Sequence, residues 1–407
     1  MLPPRKRILL LITNLTFGGA QRVFYDQSKL LSRHFEVIEC VFNTQTENAF
    51  PTGNKLVSLD VKAGTNWFDK LFRFLQRVQR LKKVKRENQI DVCISHLEGA
   101  DLVNVLSGAG EKTITWVHGS KRFDQNISGL VGTLRHKLLI PYTYKTADRV
   151  VTVSKAIKDE LKNYYGIPEA TVQTVYNFFD IQAIKAKGKL PIHPQYLPVY
   201  SGLPTLVFSG RLAKQKNPEA MINWFAAFVQ TFRSKLIVIG DGELREQLIE
   251  LAISLKLKVY HPWNGMPLHD QYQLYFLGFQ ENPFQFIQRS DLFILPSLWE
   301  GFPMALGEAM CCDVPVASAD CPTGPREMLG RTDELQRELN YPHFADYGLL
   351  LPILTKNTES CWTEAISKLL QESTLQERYR QQSKDRIGLF SKEKNEQIVI
   401  EVVESIC

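Results

Sequence analysis

The sequence predicts an α/β protein of two doubly wound, parallel-sheet domains, and three observations carry that prediction. Short, almost purely apolar runs alternate with longer helical stretches, as expected for strands buried on both faces. The alternation stops at a polar, proline-rich stretch after Asp180 and restarts at Thr205. At 407 residues the chain is long enough for two separate cores.

Composition sets the broad class. Hydrophobic residues at 44% and charged residues at 23% are those of a soluble globular protein. No apolar run approaches the ~18 residues of a bilayer span. The N-terminus, MLPPRKRILLLITNL, mimics a signal peptide, but its apolar core is only Ile8 to Ile12 and reads as a first strand. Seven scattered cysteines without C-x-x-C spacing point to reduced, buried thiols in a cytoplasmic protein and exclude a zinc site or disulfide frame. Charge is uneven. Residues 1–180 carry 26 Lys and Arg against 17 Asp and Glu, a net +9, whereas the remainder carries 23 against 26, a net −3. The first half is therefore expected to face something anionic.

In order, Ile8–Ile12 is a strand, Gly18-Gly19 a turn that lets backbone approach a ligand, and Val23–Leu31 a helix. The turn lacks a complete G-x-G-x-x-G, so a dinucleotide site is not indicated. After the strand Val37–Phe42, the stretch Trp67–Glu87 has Phe68, Leu71, Leu75, Val78, Leu81 and Val84 at helical spacing. That stripe is expected to pack on the sheet. The other faces carry Lys70, Arg73, Arg77, Arg80, Lys82, Lys83, Lys85 and Arg86 against two acids, with Trp67, Phe72 and Phe74 among them. Such a face suits an anionic membrane surface, at ~1 kcal/mol per cation. A merely solvated face is the competing reading, and no nucleic-acid motif accompanies the charge. Asp91–Ser95 and Thr113–Val117 are buried strands with His96 and His118 just past their ends, where open sheets place ligand-binding residues. Arg149–Val153 is a strand, and Ser154 can cap the next helix.

The second series opens with the strand Thr205–Ser209. Arg211 and Lys216 follow it, two cations suited to a diphosphate. Lys235–Ile239 is a strand. The Asp241–Glu243 turn resembles a metal motif, but its glycine before a helix favours capping. Residues 255–275 hold Pro262, Trp263, Gly265 and Pro267 and read as an inserted loop. Asp291 to Cys312, DLFILPSLWEGFPMALGEAMCC, is a strand, a loop enforced by Pro296, Gly301 and Pro303, and a helix opening at Met304. Glu300 and Glu308 flank that helix start. They cannot hold phosphate, but they can hold hydroxyls beside an anion site, which implies a ligand with both phosphates and sugars.

These residues carry a resemblance. WEGFPMALGE matches the E-x7-E signature of the retaining glycosyltransferases of the GT-4 family, and GRLAKQKN, WVHG, VYN and the Gly18-Gly19 turn resemble further family segments in the same order. The resemblance implies a GT-B fold with two Rossmann-like domains, residues 1–180 on the acceptor side and 181–388 binding the nucleotide sugar. Residues 389–407 would form a helix crossing back. It implies Glu300 and His118 as catalytic residues contacting the donor sugar. Arg211 and Lys216 would sit on the diphosphate, Gly18 and Gly19 near the donor phosphate, backbone at Phe302, Met304 and Ala305 on sugar or phosphate, and Glu308 on the ribose. Phe276–Phe279 is where relatives read the base. No metal or other cofactor is implied, since the cations and helix start would replace one. Gly324-Pro325-Arg326-Glu327 departs from the family's G-G-x-P-E and leaves the sugar open. The expected reaction moves a hexose or N-acetylhexosamine, UDP-linked rather than GDP-linked, onto a lipid-linked glycan of a surface polysaccharide, at the inner face of the cytoplasmic membrane. A soluble acceptor, a nucleotide-sugar epimerase and a non-enzymatic sugar-nucleotide binder are the alternatives. The intact motifs argue against the last two.

Overall fold

The computed structural model describes residues 5–16, 18–44, 50–124, 129–330 and 339–407. Residues 1–4 of the signal-like N-terminus and Phe17 of the glycine turn lie outside them. The chain forms two compact units, residues 1–177 with 393–407, and residues 178–392.

The first unit is built on seven strands: β1 (Arg7–Ile12), β2 (Glu36–Val41), β3 (Lys55–Ser58), β4 (Val92–His96), β5 (Lys112–Val117), β6 (Arg149–Thr152) and β7 (Val172–Thr174). They pair in parallel in the order β3-β2-β1-β4-β5-β6-β7. Ile8 to Ile12 are wholly buried, the signature of a strand covered on both faces. The covering helices are α1 (Gly19–Leu31), α2 (Trp67–Glu87), α3 (Glu98–Leu106), α4 (Gly129–Leu134), α5 (Ile140–Thr146) and α6 (Lys155–Asn163). Arg135–Leu139 between α4 and α5 is one turn of π-helix. The order reverses between β1 and β4, because the chain lays β2 and β3 on one side and β4 to β7 on the other. Ligands of open α/β sheets bind outside the strand ends at such a reversal.

Helix α2 departs from the expected packing. Leu81 is buried, and Phe74, Val78 and Val84 pack beside it on a core of Leu9, Leu11, Ile38 and Val103. Phe68 (76% exposed), Leu71, Leu75, Trp67 and Phe72 remain in solvent. The apolar spacing fits two faces of one helix; the sheet takes only the Phe74 to Val84 face. Lys85, expected on the outer basic face, is 1% exposed. It continues the inner face seven residues beyond Val78 and forms an ion pair with Glu111 at 2.5 Å. It also donates to Asn104 O (2.9 Å) and Oδ1 (2.8 Å). A fully desolvated lysine is tolerable only with such partners, so Lys85 is a core residue and no part of a surface.

The second unit has eight strands: β8 (Thr205–Ser209), β9 (Lys235–Ile239), β10 (Val259–Tyr260), β11 (Leu274–Gly278), β12 (Leu292–Leu295), β13 (Val316–Ala319), β14 (His343–Phe344) and β15 (Leu349–Leu351). Their order is β10-β11-β9-β8-β12-β13-β15-β14, all parallel except β14 against β15. The inserted stretch thus contributes an edge strand, β10, and a turn at Pro262–Asn264. The helices are α7 (Ile181–Gly188), α8 (Pro218–Thr231), α9 (Arg245–Ser254), α10 (Phe284–Ile287), α11 (Met304–Cys311), α12 (Pro325–Leu329), α13 (Glu359–Gln371) and α14 (Ser373–Ile387). Trp224 of α8 stacks on Phe228 and meets Trp362 of α13 edge-on, a buried aromatic core. Here the order reverses between β8 and β12.

The last helix, α15 (Lys392–Glu404), returns to the first unit from Glu393 onward, where Glu396 pairs with Arg33. The second unit runs to 392 rather than 388 and starts at 178 rather than 181. The reason is local: Phe179 N donates to Phe390 O and Lys392 N to Phe179 O, both at 2.9 Å. These bonds sew the entering and leaving segments together within the second unit.

Candidate active site

In the second unit the motifs converge on the β8/β12 reversal. The turn after β8 is fixed by Gly240, whose φ of +127° and neighbouring Gly210 O, 2.0 Å from where a Cβ would lie, admit only glycine. Beyond it a short turn, Lys214–Lys216, is laced to the loop after β12. Leu298 N donates to Gln215 O (2.9 Å), Gln215 Nε2 to Trp299 O (2.8 Å), and Lys216 Nζ lies 2.6 Å from Glu300 Oε1. From the other side Thr323 Oγ1 donates to Glu300 O. Gly324, at φ +92°, packs on Pro303 and Gly301 O where a Cβ would clash.

Glu300 is thereby held from two segments, the Lys214–Lys216 turn and Thr323, and is 5% exposed. Phe302 is buried beside Phe179 and Phe390, so its side chain is packing and only its backbone faces the loop. Met304 and Ala305 start α11, whose N-cap Pro303 offers no side-chain cap; their amides precede the intrahelical ladder and supply the positive helix end. Glu308 is half-buried one turn later. Arg211 is exposed and paired with Glu243 at 3.1 Å rather than with Glu300. An exposed pair contributes only about 0–1 kcal/mol, so an anion can recruit Arg211 at little cost. Asp241 accepts from Gly242 N and from Arg245, but the N-cap of α9 is Leu244 without a side-chain cap, so the capping expected of the Asp241–Glu243 turn is not what its side chains do. Burial, then Glu300 and Asp320, push the Cys321 thiol far up, so it stays protonated and is no nucleophile. Among the described residues no group of three His, Cys, Asp or Glu gathers as a metal site.

In the first unit Gly18 is the N-cap and Gly19 the first residue of α1, behind a turn in which Asn14 Oδ1 accepts from Thr16 and Gln21. At the β4 and β5 ends His96 Nδ1 and His118 Nε2 are 2.8 Å apart. Burial, with Lys121 adding, pushes His118 down to about 3, so it is neutral at physiological pH. Lys121 also reaches Glu98 (3.5 Å), which grips Arg135 (2.5 Å). Beside them Asp101, bonded by Ser95 Oγ (2.8 Å) and Tyr144 OH (3.2 Å), is raised to about 7 by burial.

Of the residues that sequence reasoning assigned to the donor, Glu300, Phe302, Met304, Ala305 and Glu308 share one contiguous loop and helix start, and Lys216, from the turn after β8, reaches Glu300 by an ion pair. It missed Gln215 and Thr323, whose polar side chains hold Trp299 and Glu300 in place. Only their positions beside the motifs could have flagged them. It also missed Asp101, which nothing local distinguishes from a surface helix residue.

Comparison with known proteins fits this geometry. The Glycosyl transferases group 1 family matches residues 192–386 and Glycosyltransferase Family 4 matches residues 17–183. The chain is 29% identical over 313 residues to an uncharacterised glycosyltransferase of Methanocaldococcus jannaschii, covering 74% of this chain and 72% of that protein. It is 24% identical over 397 residues, 96% of this chain and 97% of the relative, to a Campylobacter jejuni protein. That protein is named N-acetylgalactosamine-N,N'-diacetylbacillosaminyl-diphospho-undecaprenol 4-alpha-N-acetylgalactosaminyltransferase. The fold superimposes on Anabaena HepE in complex with UDP and glucose with a TM-score of 0.73 at 17% identity, covering 98% and 99% of the two chains. With two GT-B-type sheets and matches to both families spanning nearly its whole length, the chain belongs to the family 4, group 1 glycosyltransferases and is a hexosyltransferase.

Proposed function

We propose that the protein transfers a hexose or N-acetylhexosamine from a UDP-linked donor to a lipid-linked glycan, with retention at the anomeric carbon and without a metal. The observation that carries this reading is the Campylobacter relative, which is matched end to end and named for a diphospho-undecaprenol-linked acceptor. The site chemistry supports it. Lys216, Arg211 and the uncapped start of α11 would stabilise charge developing on the leaving diphosphate. Glu300, held by Lys216 and Thr323, would orient donor-sugar hydroxyls, and Glu308 would take the ribose hydroxyls. His118 keeps the sugar contact that the resemblance gives it. The bond from the anomeric carbon to the diphosphate oxygen breaks, the acceptor oxygen bonds to the same face, and its proton passes to the departing phosphate.

Docking on the cytoplasmic face of an anionic membrane would use the exposed half of α2. Trp67, Phe68, Leu71, Phe72 and Leu75 lie in solvent beside Lys70, Lys83 and Arg86. Arg73, Arg77 and Arg80 are partly engaged, with Asp69 and with the carbonyls of residues 59–62, and Lys82 is half-buried. They would contribute less. Among the described residues no helix is long and apolar enough to cross a membrane.

The test is incubation with UDP-glucose, UDP-galactose, UDP-N-acetylglucosamine and UDP-N-acetylgalactosamine against undecaprenyl-diphosphate-linked saccharides, with mass and anomeric analysis of products. A retained α-linkage on the lipid-linked acceptor is expected. A new free nucleotide sugar with no new glycosidic bond would point to an epimerase instead.

A further inference from the structure

His96 ends β4 and His118 lies one residue beyond β5, on adjacent strands of the first unit. Their rings are nearly parallel, 26° apart with centroids at 5.1 Å, and His96 Nδ1 stands 2.8 Å from His118 Nε2. One proton occupies that line, and either ring can own it. His96 is 0% exposed, with Phe24 edge-on at 5.5 Å and Trp116 stacked at 6.0 Å. Its remaining nitrogen, Nε2, is buried without a partner. Burial pushes His96 well below the ordinary imidazole range and His118 to about 3; His118 pushes His96 the same way, and Lys121 does so for His118. Each ring therefore carries a single proton.

If His118 Nε2–H donated to His96 Nδ1, the His96 proton would sit on Nε2 as an orphaned N–H in an aromatic cage. In the reverse arrangement only a lone pair meets that cage. Orphaned buried N–H groups are rarer than under-satisfied acceptors, so the second arrangement wins. We propose that His96 is a positioning residue: its Nδ1–H donates to His118 Nε2 and holds His118 as the Nδ1–H tautomer. His118 then offers its outer edge as an uncharged hydrogen-bond donor. It suits an oxygen acceptor, a sugar hydroxyl or a phosphate oxygen, and it has no free basic nitrogen with which to take a proton. The tautomer of a histidine is set in this way by the bond its other nitrogen makes. The functional consequence rests on His118 contacting the donor sugar; the tautomer does not.

The test uses the full chain labelled with 15N-histidine, whose eight histidines make a tractable spectrum. His118 Nδ1 is expected to show the shift of a protonated ring nitrogen and Nε2 that of a bare one, unchanged from pH 5 to 8. A protonated His118 Nε2 overturns the proposal. His96→Asn keeps an N–H near the Nδ1 position and is expected to preserve both the tautomer and most of the turnover. His96→Leu is expected to lose about 10- to 100-fold in kcat/KM, the size of loss seen when outer-shell partners of metal-bound imidazoles are removed, with His118 now mixing tautomers. Equal loss in both variants also counts against the proposal. Should His96→Leu not fold, the wild-type spectrum and His96→Asn decide. His118→Ala with wild-type turnover would refute the sugar contact while leaving the tautomer assignment standing.

Discussion

Lys216 Nζ lies 2.6 Å from Glu300 Oε1, so the two motifs 84 residues apart meet in a single ion pair. The side chains are only 18% and 7% exposed, which puts the pair outside the surface regime where ion pairs contribute little. A diphosphate arriving at Lys216 would thus meet a cation already oriented by the Glu300 carboxylate.

Glu300→Ala is expected to abolish transfer while the protein stays folded, because Lys216 retains water on its exposed side. Lys216→Ala should both abolish transfer and lower stability by about 1–3 kcal/mol, the cost of leaving a buried acceptor unpaired. The double variant should be more stable than Lys216→Ala alone. Urea melts of the four proteins, with turnover measured on each, check this. A Glu300→Ala protein with wild-type turnover would sink the site assignment.

Lys85→Met leaves Glu111 without its ion-pair partner in a dry interior and is expected to cost about 3–5 kcal/mol, without changing vesicle binding. Trp67→Ser/Phe68→Ser/Phe72→Ser, at exposed positions, should do the reverse: unchanged melting temperature and reduced pelleting with phosphatidylserine vesicles. Unchanged sedimentation of the triple variant would remove α2 as a docking face.

The contrast between those variants shows where the sequence is legible. Strand positions read off cleanly, since runs such as Ile8 to Ile12 are apolar on both faces whatever surrounds them. The Glu300 loop read off because Pro296, Gly301 and Pro303 constrain backbone locally. Which face of α2 is buried did not, because Phe68-Leu71-Leu75 and Phe74-Val78-Leu81 have equal helical spacing and only the tertiary partner chooses. Lys85 looks like its exposed neighbours until Glu111, 26 positions away, is seen beside it. Gln215, Thr323 and the His96–His118 pair depend likewise on contacts between distant segments.

If Arg211, Lys216 and the α11 start supply the positive charge on the leaving group, as proposed, transfer is expected to survive EDTA at undiminished rate. Loss of turnover restored by added Mg²⁺ or Mn²⁺ would refute the metal-free mechanism.

Asp101 gives the first unit a pH dependence of definite sign. Burial raises its carboxyl from 3.8 to about 7, against the opposing pulls of Lys121, Ser95 and Tyr144. The folded state therefore binds a proton that the unfolded chain releases near pH 4. Stability from this group is fully present below about pH 4 and is lost as pH rises towards and through 7. Asp101→Asn keeps an acceptor for Ser95 and has no charge to bury. Its melting temperature should fall less steeply than that of wild type between pH 5 and 8, and should exceed wild type at pH 8. Parallel melting curves for the two proteins across that range would show that Asp101 is ionised in the fold, carried by Lys121 rather than neutralised by burial.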